Sequence, residues 1–393
     1  MSFFAARTSQ LRVRGHHESS RVTFVELFFD LVFVFAVTQL SHGLLAQLSL
    51  TGLAHATVLL IAVWWSWINA AWVTNWLDPA RPAVRMMLFA LMLAGLVFAA
   101  AIPKAFEDRG GAMAVAYVSM HLVRDLTMLW SLNRHDPVNF RNFVRISTWH
   151  LAAAPFWLAG AFVDATLRLE VWTLAVAIET VAPIVGYWLP WLGRSTTAEW
   201  VVAGNHMAER CGLFIIIALG ESILITGATF ATLTWTNETI VAFLTAFIGS
   251  VALWAVYFNI GAERASRQIE ASSDPGRLAR SGYTFMHLPI VAGIIGVAVG
   301  DELVLHHPGG HVELPALCAL VGGPALYLTG NALFKRLSAP NLPLSHLIGL
   351  GLLALTVPAS FYMTPVMLSA TTTAIMIVVA VWEWLSLRQR GEG

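Results

Sequence analysis

Residues 21–42 read RVTFVELFFDLVFVFAVTQLSH, a stretch long enough and apolar enough to cross a bilayer as one helix. It carries two acids, Glu26 and Asp30, four residues apart. Four helical residues advance about 40° around the axis and about 6 Å along it, so both carboxyls lie on one face. Each acid inside a spanning helix costs roughly 2.5–3.5 kcal/mol. Two interpretations follow: the acids lie at the wet end of the helix and only close the bundle, or they line a polar pathway or binding site.

The whole chain has the composition of a membrane protein. Of its 393 residues, 57% are hydrophobic and 12% are charged, whereas soluble domains average about 25% charged residues. The formal net charge is +0, so nothing in the sequence favours nucleic acid or a strongly charged soluble partner. The expected partners are therefore the lipid bilayer and a small ion or small-molecule substrate.

The two cysteines and the first twenty residues indicate further which class of protein this is. The two cysteines, Cys211 and Cys318, both lie in apolar runs, which argues against a disulfide framework and against a thiolate metal site. No cofactor is predicted. The first twenty residues lack the apolar region and cleavage site of a signal peptide, so the first apolar segment is expected to be a retained span.

The apolar segments predict an all-α, polytopic transmembrane helix bundle of about 12 spans. They cover residues 22–41, 53–74, 84–102, 112–132, 146–163, 170–192, 203–226, 238–260, 283–300, 314–334, 342–360 and 364–386. An even division gives halves 22–192 and 203–386. Segments one and seven each carry an acid about one turn from their start, which favours a 6+6 parallel repeat about an axis along the membrane normal.

Basic residues in the loops predict the orientation of the bundle. Three of them, Lys104, Arg109 and Arg168, fall on one side, and eighteen fall on the other, in the N-terminal segment, the even-numbered loops and the C-terminal tail. Because cytoplasmic loops carry the excess of Lys and Arg, both termini should be cytoplasmic. Residues 1–21 then form a cytoplasmic segment, 22–386 the transmembrane domain and 387–393 a cytoplasmic tail.

Several ionisable side chains fall inside the predicted spans, where such residues are rare and usually functional. The candidates for an ion or substrate pathway are Glu26, Asp30, His121, Arg124, Asp125, Glu179, His206, Glu209, Arg210, Glu221 and His287. Most of them should reach a similar depth in the cytoplasmic half, because segments one and seven run outward and segment four runs inward. We therefore expect one polar cluster.

Within that cluster, Arg124 and Arg210 should neutralise carboxylates of other helices, with Asp30 or Glu26 as the partner of Arg124. Glu179 and Glu221 would be stepping points towards the outside. The six acids outnumber the two arginines, and a buried carboxylate without a cation is usually protonated or bound to something. The alternative interpretation is that the ion pairs only fix helix packing.

Three further patterns favour structural roles. Tryptophans crowd segment two, and Trp65, Trp72 and Trp76 share a face, which favours core packing over a pocket wall. Glycines recur at near-four spacing and favour close helix contact; they are Gly220, Gly293, Gly296 and Gly300. The outer loop 300–315 holds three histidines separated by Pro and Gly, which favours a solvated loop over a metal site; they are His306, His307 and His311.

Four stretches of the chain carry a resemblance to a known family. They are residues 21–42, HMAERCGLFIIIALGESIL at 206–224, ALWAVYFNIG at 252–261 and YTFMHLPIVAGIIGVAVGDE at 283–302. Together they resemble the bacterial low-temperature-requirement A family of membrane proteins. The resemblance implies a polytopic protein of the bacterial inner membrane, and it implies little chemistry, because the family's name describes a growth phenotype.

The buried carboxylates favour a secondary transporter or a cation or proton pathway. The rivals are a membrane-embedded enzyme acting on a lipid-linked substrate and a sensor or assembly protein without flux. The sequence shows no zinc motif, nucleophile elbow or phosphate loop, which weighs against an enzyme. The solvent accessibility of the buried polar groups distinguishes these classes. A polar path that reaches both membrane faces favours transport, and a pocket open to one side favours an enzyme. A dry cluster whose charges are paired favours a purely structural role.

The orientation can be tested at the predicted external loop. In a cysteine-free background, a His307→Cys variant should react with a membrane-impermeant maleimide added to intact cells. The charge bias places this loop outside. Labelling that appears only after the cells are permeabilised would overturn the topology.

Overall fold

A computed structural model describes residues 9–12, 21–133, 135–197, 200, 202–259, 272, 274–337 and 341–388. Helix makes up 82% of the structure, and the described residues form no strand, only two isolated bridges. The predicted all-α class is therefore confirmed.

The first half of the chain forms six long helices. They are α1 (Phe24–Ala46), α2 (Leu50–Trp76), α3 (Pro82–Ala101), α4 (Gly110–Leu132), α5 (Pro137–Gly160) and α6 (Ala165–Ile184). Two of them start at aspartates that accept backbone N–H groups of the first turn. Asp136 accepts from Asn139, and Asp164 accepts from Thr166 and Leu167. These side chains satisfy donors that a helix leaves open at its N-terminus.

The second half also consists of long helices. They are α7 (Gly204–Thr232), α8 (Asn237–Phe258), α9 (Pro275–His306), α10 (Leu314–Arg336), α11 (Leu344–Ala359) and α12 (Pro365–Arg388). Helix α8 starts at a capping box between Thr236 and Thr239. Helix α9 contains a π-helical stretch, Arg280–Met286.

Two helix ends differ clearly from the predicted segments. Helix α6 ends at Ile184 rather than near residue 192, because Gly186 (φ 68°) and Tyr187 (φ 50°) adopt the left-handed conformation. Helix α9 continues to His306, so Asp301 lies inside a helix and not in the outer loop. Hydropathy ended that segment at the first charged residues, although the backbone continues through them.

Nine helices of the described chain are long and apolar enough to span a membrane: α1, α2, α3 and α7 to α12. The expectation of 12 spans is therefore not confirmed. The other three long helices, α4, α5 and α6, carry buried ionisable side chains such as Arg124, His150 and Glu179. These groups lower the apolar character of the three helices.

The chain divides into two compact units. Unit 1 contains most of α1 and α2, all of α3 to α6, and the start of α7. Its consecutive helices run in alternating directions. Trp76 and Leu132, at the ends of α2 and α4, line one cavity with Asp136, which precedes α5. The opposite ends meet at Arg168 near the start of α6, which bonds to Gly160 at the end of α5.

Arg168 was expected in an outer loop, but it lies in α6 and is buried. Its guanidinium donates to five backbone carbonyls, those of Ala105, Glu107, Gly160, Ala161 and Val163. Helix and turn ends leave such carbonyls without intrahelical donors. Arg168 therefore closes one end of unit 1 and fixes α6 against α5 and the turn after α3.

The tryptophans of α2 form part of the core of unit 1, as predicted. Trp64 and Trp67 are fully buried, and Trp65, Trp72 and Trp76 are at most 8% exposed. Trp76 packs edge-to-face against Phe143 of α5, with ring centroids 5.5 Å apart. These rings fill the interior rather than forming a belt at one membrane surface.

Unit 2 contains α8, α10, α11 and α12 with most of α7 and α9, and its tightest contact joins α9 to α10. A Cβ at Gly293 would lie 2.5 Å from the Tyr327 nitrogen, and one at Gly296 would lie 3.0 Å from the Gly323 Cα. Gly300 meets Leu320 in the same way. Small residues thus let the two backbones approach closely, as predicted. A Cβ at Gly220 would meet no atom of another described helix within 4 Å, so the prediction of close helix contact was wrong there.

The role of Gly293 can be tested by adding one methyl group. Gly293→Ala should lower the free energy of unfolding by roughly 1–3 kcal/mol, because the α9 and α10 backbones must separate. Gly322→Ala on α10 is the matched control, since nothing lies within 4 Å of its Cβ position. Equal SDS-induced unfolding of the two variants in mixed micelles would contradict this account.

Candidate functional site

The first polar cluster of unit 1 joins α4 to α5. The Arg124 guanidinium donates to the Asp125 carboxylate on its own helix, with Nη2 2.9 Å from Oδ1. The second carboxylate oxygen of Asp125 lies 2.7 Å from Nδ1 of His150 on α5. The predicted pairing of Arg124 with Asp30 or Glu26 is therefore wrong. Asp125 takes that role, because it lies beside the arginine and needs no matching rotation of a second helix.

Hydrogen-bond geometry assigns the protons in this cluster. Nδ1 of His150 lies 2.7 Å from Asp125 Oδ2 and 3.1 Å from Arg124 Nη2. Nη2 has two hydrogens and two nearer acceptors at 2.9 Å, in Asp125 and His121, so Nδ1–H of His150 donates to the Asp125 carboxylate. Arg124 Nη2 donates to Nδ1 of His121 at 2.9 Å, which leaves the His121 proton on Nε2. That Nε2 is buried and has no hydrogen-bond partner in the described chain. His121 thus carries a donor that no protein acceptor uses.

The second cluster lies nearer the start of α4 and joins α4 and α5 to α6. The Tyr117 hydroxyl donates to Oε2 of Glu179 at 2.6 Å, and Trp157 Nε1 donates to Oε1 at 3.3 Å. Glu179 makes no ion pair in the described structure. The Tyr117 ring packs against His121 with ring centroids 4.5 Å apart and an angle of 52° between the ring planes.

One small cavity connects these two clusters. Its lining includes Tyr117, His121, His150, Trp157 and Glu179, and its volume is about 10 Å³. That volume is at the lower limit for one water molecule. The side chains of α4, α5 and α6 therefore border one small space, and apolar side chains of α4 and α5 complete its lining. Asp125 lies outside this lining and connects to it through its bond to His150.

The third cluster lies where α1 begins. Oε1 of Glu26 is 2.8 Å from Nε2 of His206, and Oε2 is 3.3 Å from Nη2 of Arg12. Glu26 and His206 are fully buried. Thr23 also donates to this carboxylate, through its backbone N–H and its hydroxyl. Glu26 is thus held by an arginine from the N-terminal segment, which the sequence had placed outside the bundle.

A larger cavity of about 380 Å³ lies beside this cluster. Arg12 forms part of its wall, with Trp76, Met128, Asp136 and Asn139. Arg12 contacts Glu26 and also lines the cavity, so its guanidinium links the buried carboxylate to a space large enough for a small solute.

Asp30 lies deeper in α1 and is fully buried. Its Oδ1 accepts a hydrogen bond from Nε1 of Trp67 at 2.8 Å. Trp67 belongs to the tryptophan-rich part of α2, so one ring of that core also serves a carboxylate. The sequence grouped other tryptophans on a face and did not identify this bond.

Besides His206, three of the predicted residues lie on α7. Arg210 and Glu221 are buried, whereas Glu209 is exposed. Glu209 therefore lies on an outward face rather than in a buried cluster. The pairing of Arg210 with a carboxylate of another helix stays a prediction.

His287 on α9 is fully buried, and both of its ring nitrogens are engaged. Nδ1 donates to the Gly282 carbonyl at 2.8 Å, and Nε2 accepts from the Tyr257 hydroxyl at 2.7 Å. Gly282 belongs to the π-helical stretch, where the usual backbone pairing is interrupted. In this structure His287 stabilises the distorted backbone.

The sequence missed two features of unit 2. Lys335, assigned to a loop, is buried and bonds to Glu383 at 2.6 Å, and the same carboxylate lies 3.5 Å from Nδ1 of His346. Asp301, also assigned to a loop, is buried in α9. The sequence signal that could have placed both residues in helices is the helical spacing, which continues past the last apolar residue of each predicted segment.

Comparison with known proteins gives consistent matches. Residues 21–381 match the profile described as bacterial low temperature requirement A protein (LtrA). An uncharacterised protein of Rhizobium meliloti (strain 1021) is 41% identical over 376 residues, which cover 94% of this chain and 91% of the relative. No solved structure gives a significant match.

The Arg124–Asp125 pair can be tested by removing one charge at a time. Asp125→Asn should lower the free energy of unfolding by roughly 3–5 kcal/mol, because Arg124 then lacks a carboxylate. Adding Arg124→Met should restore most of that loss. Asp108→Asn, at an exposed aspartate, is the control. If Asp125→Asn unfolds like Asp108→Asn in mixed micelles, the pair does not stabilise the protein.

Proposed function

We propose that this chain, which belongs to the bacterial low temperature requirement A family, moves protons across the inner membrane, as a secondary transporter or proton pathway that uses buried carboxylates. Both termini would be cytoplasmic, as the basic residues of the loops favour. The proposal assigns the pathway to α4, α5 and α6.

We further propose that these three helices also cross the membrane, giving twelve spans. Their outward faces support this, because the exposed side chains are largely apolar. They include Val115, Leu122 and Leu126 on α4, Leu151 and Leu158 on α5, and Leu174, Val181 and Ile184 on α6. The ionisable groups point inward to one another. A helix that carries charges is stable in lipid when its outward face is apolar and its polar side chains face the protein interior.

The 6+6 arrangement is part of the same proposal. The structural units change over near residue 207, close to the boundary between the halves 22–192 and 203–386, although short segments of α1, α2 and α9 depart from it. That division supports two halves and leaves their internal symmetry as a hypothesis.

The observation that carries the functional proposal is the continuous set of titratable groups around one cavity. Asp125 bonds to His150, Glu179 bonds to Tyr117, and both His121 and His150 line the space between them. Eight residues of α4 separate Tyr117 from Asp125, which corresponds to about 12 Å along the membrane normal. A structural ion pair would need only Arg124 and Asp125.

These groups suit protons better than metal cations. Imidazole, phenol and carboxyl groups each accept and release a proton at a defined atom, and one water molecule in the cavity can bridge them. A dehydrated metal ion would instead meet the fixed guanidinium of Arg124. The cavity of about 10 Å³ also leaves no room for an ion with several water ligands.

A second candidate is a membrane-embedded enzyme acting on a lipid-linked substrate. The cavity of about 380 Å³ favours it, because Arg12 in the wall would bind an anionic head group. In the transport proposal the same cavity is the place where a small solute enters. A flux assay separates the two, since the enzyme requires no proton movement.

The proton pathway can be tested with the purified full chain in liposomes. A potassium gradient with valinomycin should drive proton uptake, followed with an enclosed pH-sensitive dye. Glu179→Gln should slow this uptake by on the order of 100-fold, the lower range for loss of a positioned proton-transfer group. Glu170→Gln, at an exposed glutamate on the same helix, should retain wild-type flux. Equal flux through both variants, or none through the wild type, would refute the proposal.

A further inference from the structure

Asp301 on α9 is a buried acid that the proposed pathway does not use. Its side chain is 5% exposed, and its Oδ2 atom has no hydrogen-bond partner in the described part of the chain. The neighbouring Glu302 differs, because the Thr229 hydroxyl bonds to both of its carboxylate oxygens. A buried carboxylate without a donor is costly unless it binds a proton or a cation.

The Asp301 carboxylate lines a cavity of about 20 Å³ inside unit 2. The lining comes from α8, α9, α10 and α12 and consists of Gly249, Leu253, Val297, Asp301, Leu320, Pro324, Ser369, Thr372, Thr373 and Met376. The volume accommodates one water-sized particle. Among the described residues, no Lys, Arg or His lines the cavity, so none of them places a positive charge in its wall beside the carboxylate.

Helix α12 contributes hydroxyl side chains to the lining of the same cavity. The hydroxyls of Ser369 and Thr373 make no hydrogen bond in the described structure, and the Thr372 hydroxyl donates to the Ser369 carbonyl, which leaves its lone pairs free. Hard cations prefer such carboxylate and hydroxyl oxygens. Hydroxyls that face a carboxylate without bonding to any protein group are expected where a ligand provides the link.

Two backbone features also favour a ligand at this place. Pro324 on α10 has no N–H, so the Leu320 carbonyl beside the cavity lacks its ordinary intrahelical donor. Gly249 on α8 keeps the opposite wall clear, because a Cβ there would lie 3.2 Å from the Thr373 hydroxyl. An irregular helix and a small residue therefore border the same space as the acid.

From this geometry we propose that Asp301, with the hydroxyls of Ser369, Thr372 and Thr373, forms a binding site for one dehydrated monovalent cation of the size of Na⁺. The single carboxylate matches one positive charge, and the cavity excludes a hydrated ion. The site is independent of the proton pathway, since it lies in unit 2 and requires binding without flux.

The test measures ²²Na⁺ binding to the purified full chain in detergent by scintillation proximity, with unlabelled NaCl, KCl and choline chloride as competitors. Wild type should bind Na⁺ saturably, about one ion per chain, and NaCl should raise the melting temperature more than choline chloride does. Asp301→Asn should abolish both effects. Glu302→Gln is the matched control and should retain Na⁺ binding.

A second variant addresses the hydroxyls without removing the acid. Ser369→Ala should weaken Na⁺ binding at least about tenfold, a loss comparable to that of a supporting group around a metal. If Asp301→Asn does not fold, Ser369→Ala serves as the test of the site in its place. Absence of saturable Na⁺ binding by the wild type between pH 6 and pH 9 would overturn the site in favour of a protonated acid. Unchanged binding by Ser369→Ala and Asp301→Asn would overturn it as well.

Discussion

The cost of leaving a charge unpaired in an apolar layer determines how α4, α5 and α6 are arranged. Arg124 and Asp125 would each cost several kcal/mol alone in such surroundings. Their mutual bond, and the bond from Asp125 to His150, join α4 to α5 at a fixed rotation. That rotation also directs Tyr117 and His121 to the interior. The three long helices that do not qualify as membrane spans by composition are therefore those whose polar groups face one another.

The positions of the helices followed from the sequence, whereas the pairing of their side chains did not. Apolar runs identify a helix regardless of its neighbours, so the predicted segments overlap the helices found. Pairing depends on helix rotation, which depth alone does not define. Arg124 shows this clearly: Asp30 and Glu26 have the right depth, but Trp67 and His206 contact them, and Asp125 is the partner of Arg124.

Residues near the ends of helices were missed for a related reason. Hydropathy ends a segment at the first charged residue, and Asp301, Lys335 and Arg168 were assigned to loops on that basis. Each lies inside a helix because its charged group has a bonding partner or a cavity within the protein. Arg168 finds backbone carbonyls, and Lys335 finds Glu383 and the Val256 carbonyl. A charge at a predicted boundary therefore does not by itself indicate a loop.

The partners of the acids in unit 1 differ in a way that bears on proton movement. Glu26 and Asp125 each contact an arginine and a histidine, so a fixed positive charge compensates their ionised form. Glu179 instead bonds to Tyr117 and Trp157, and no guanidinium of the described residues contacts it. A carboxyl group held only by neutral donors can exchange its proton without breaking an ion pair. Among these acids, Glu179 is therefore the one whose change of charge least disturbs the helix packing, which is what a relay group in a stable bundle requires.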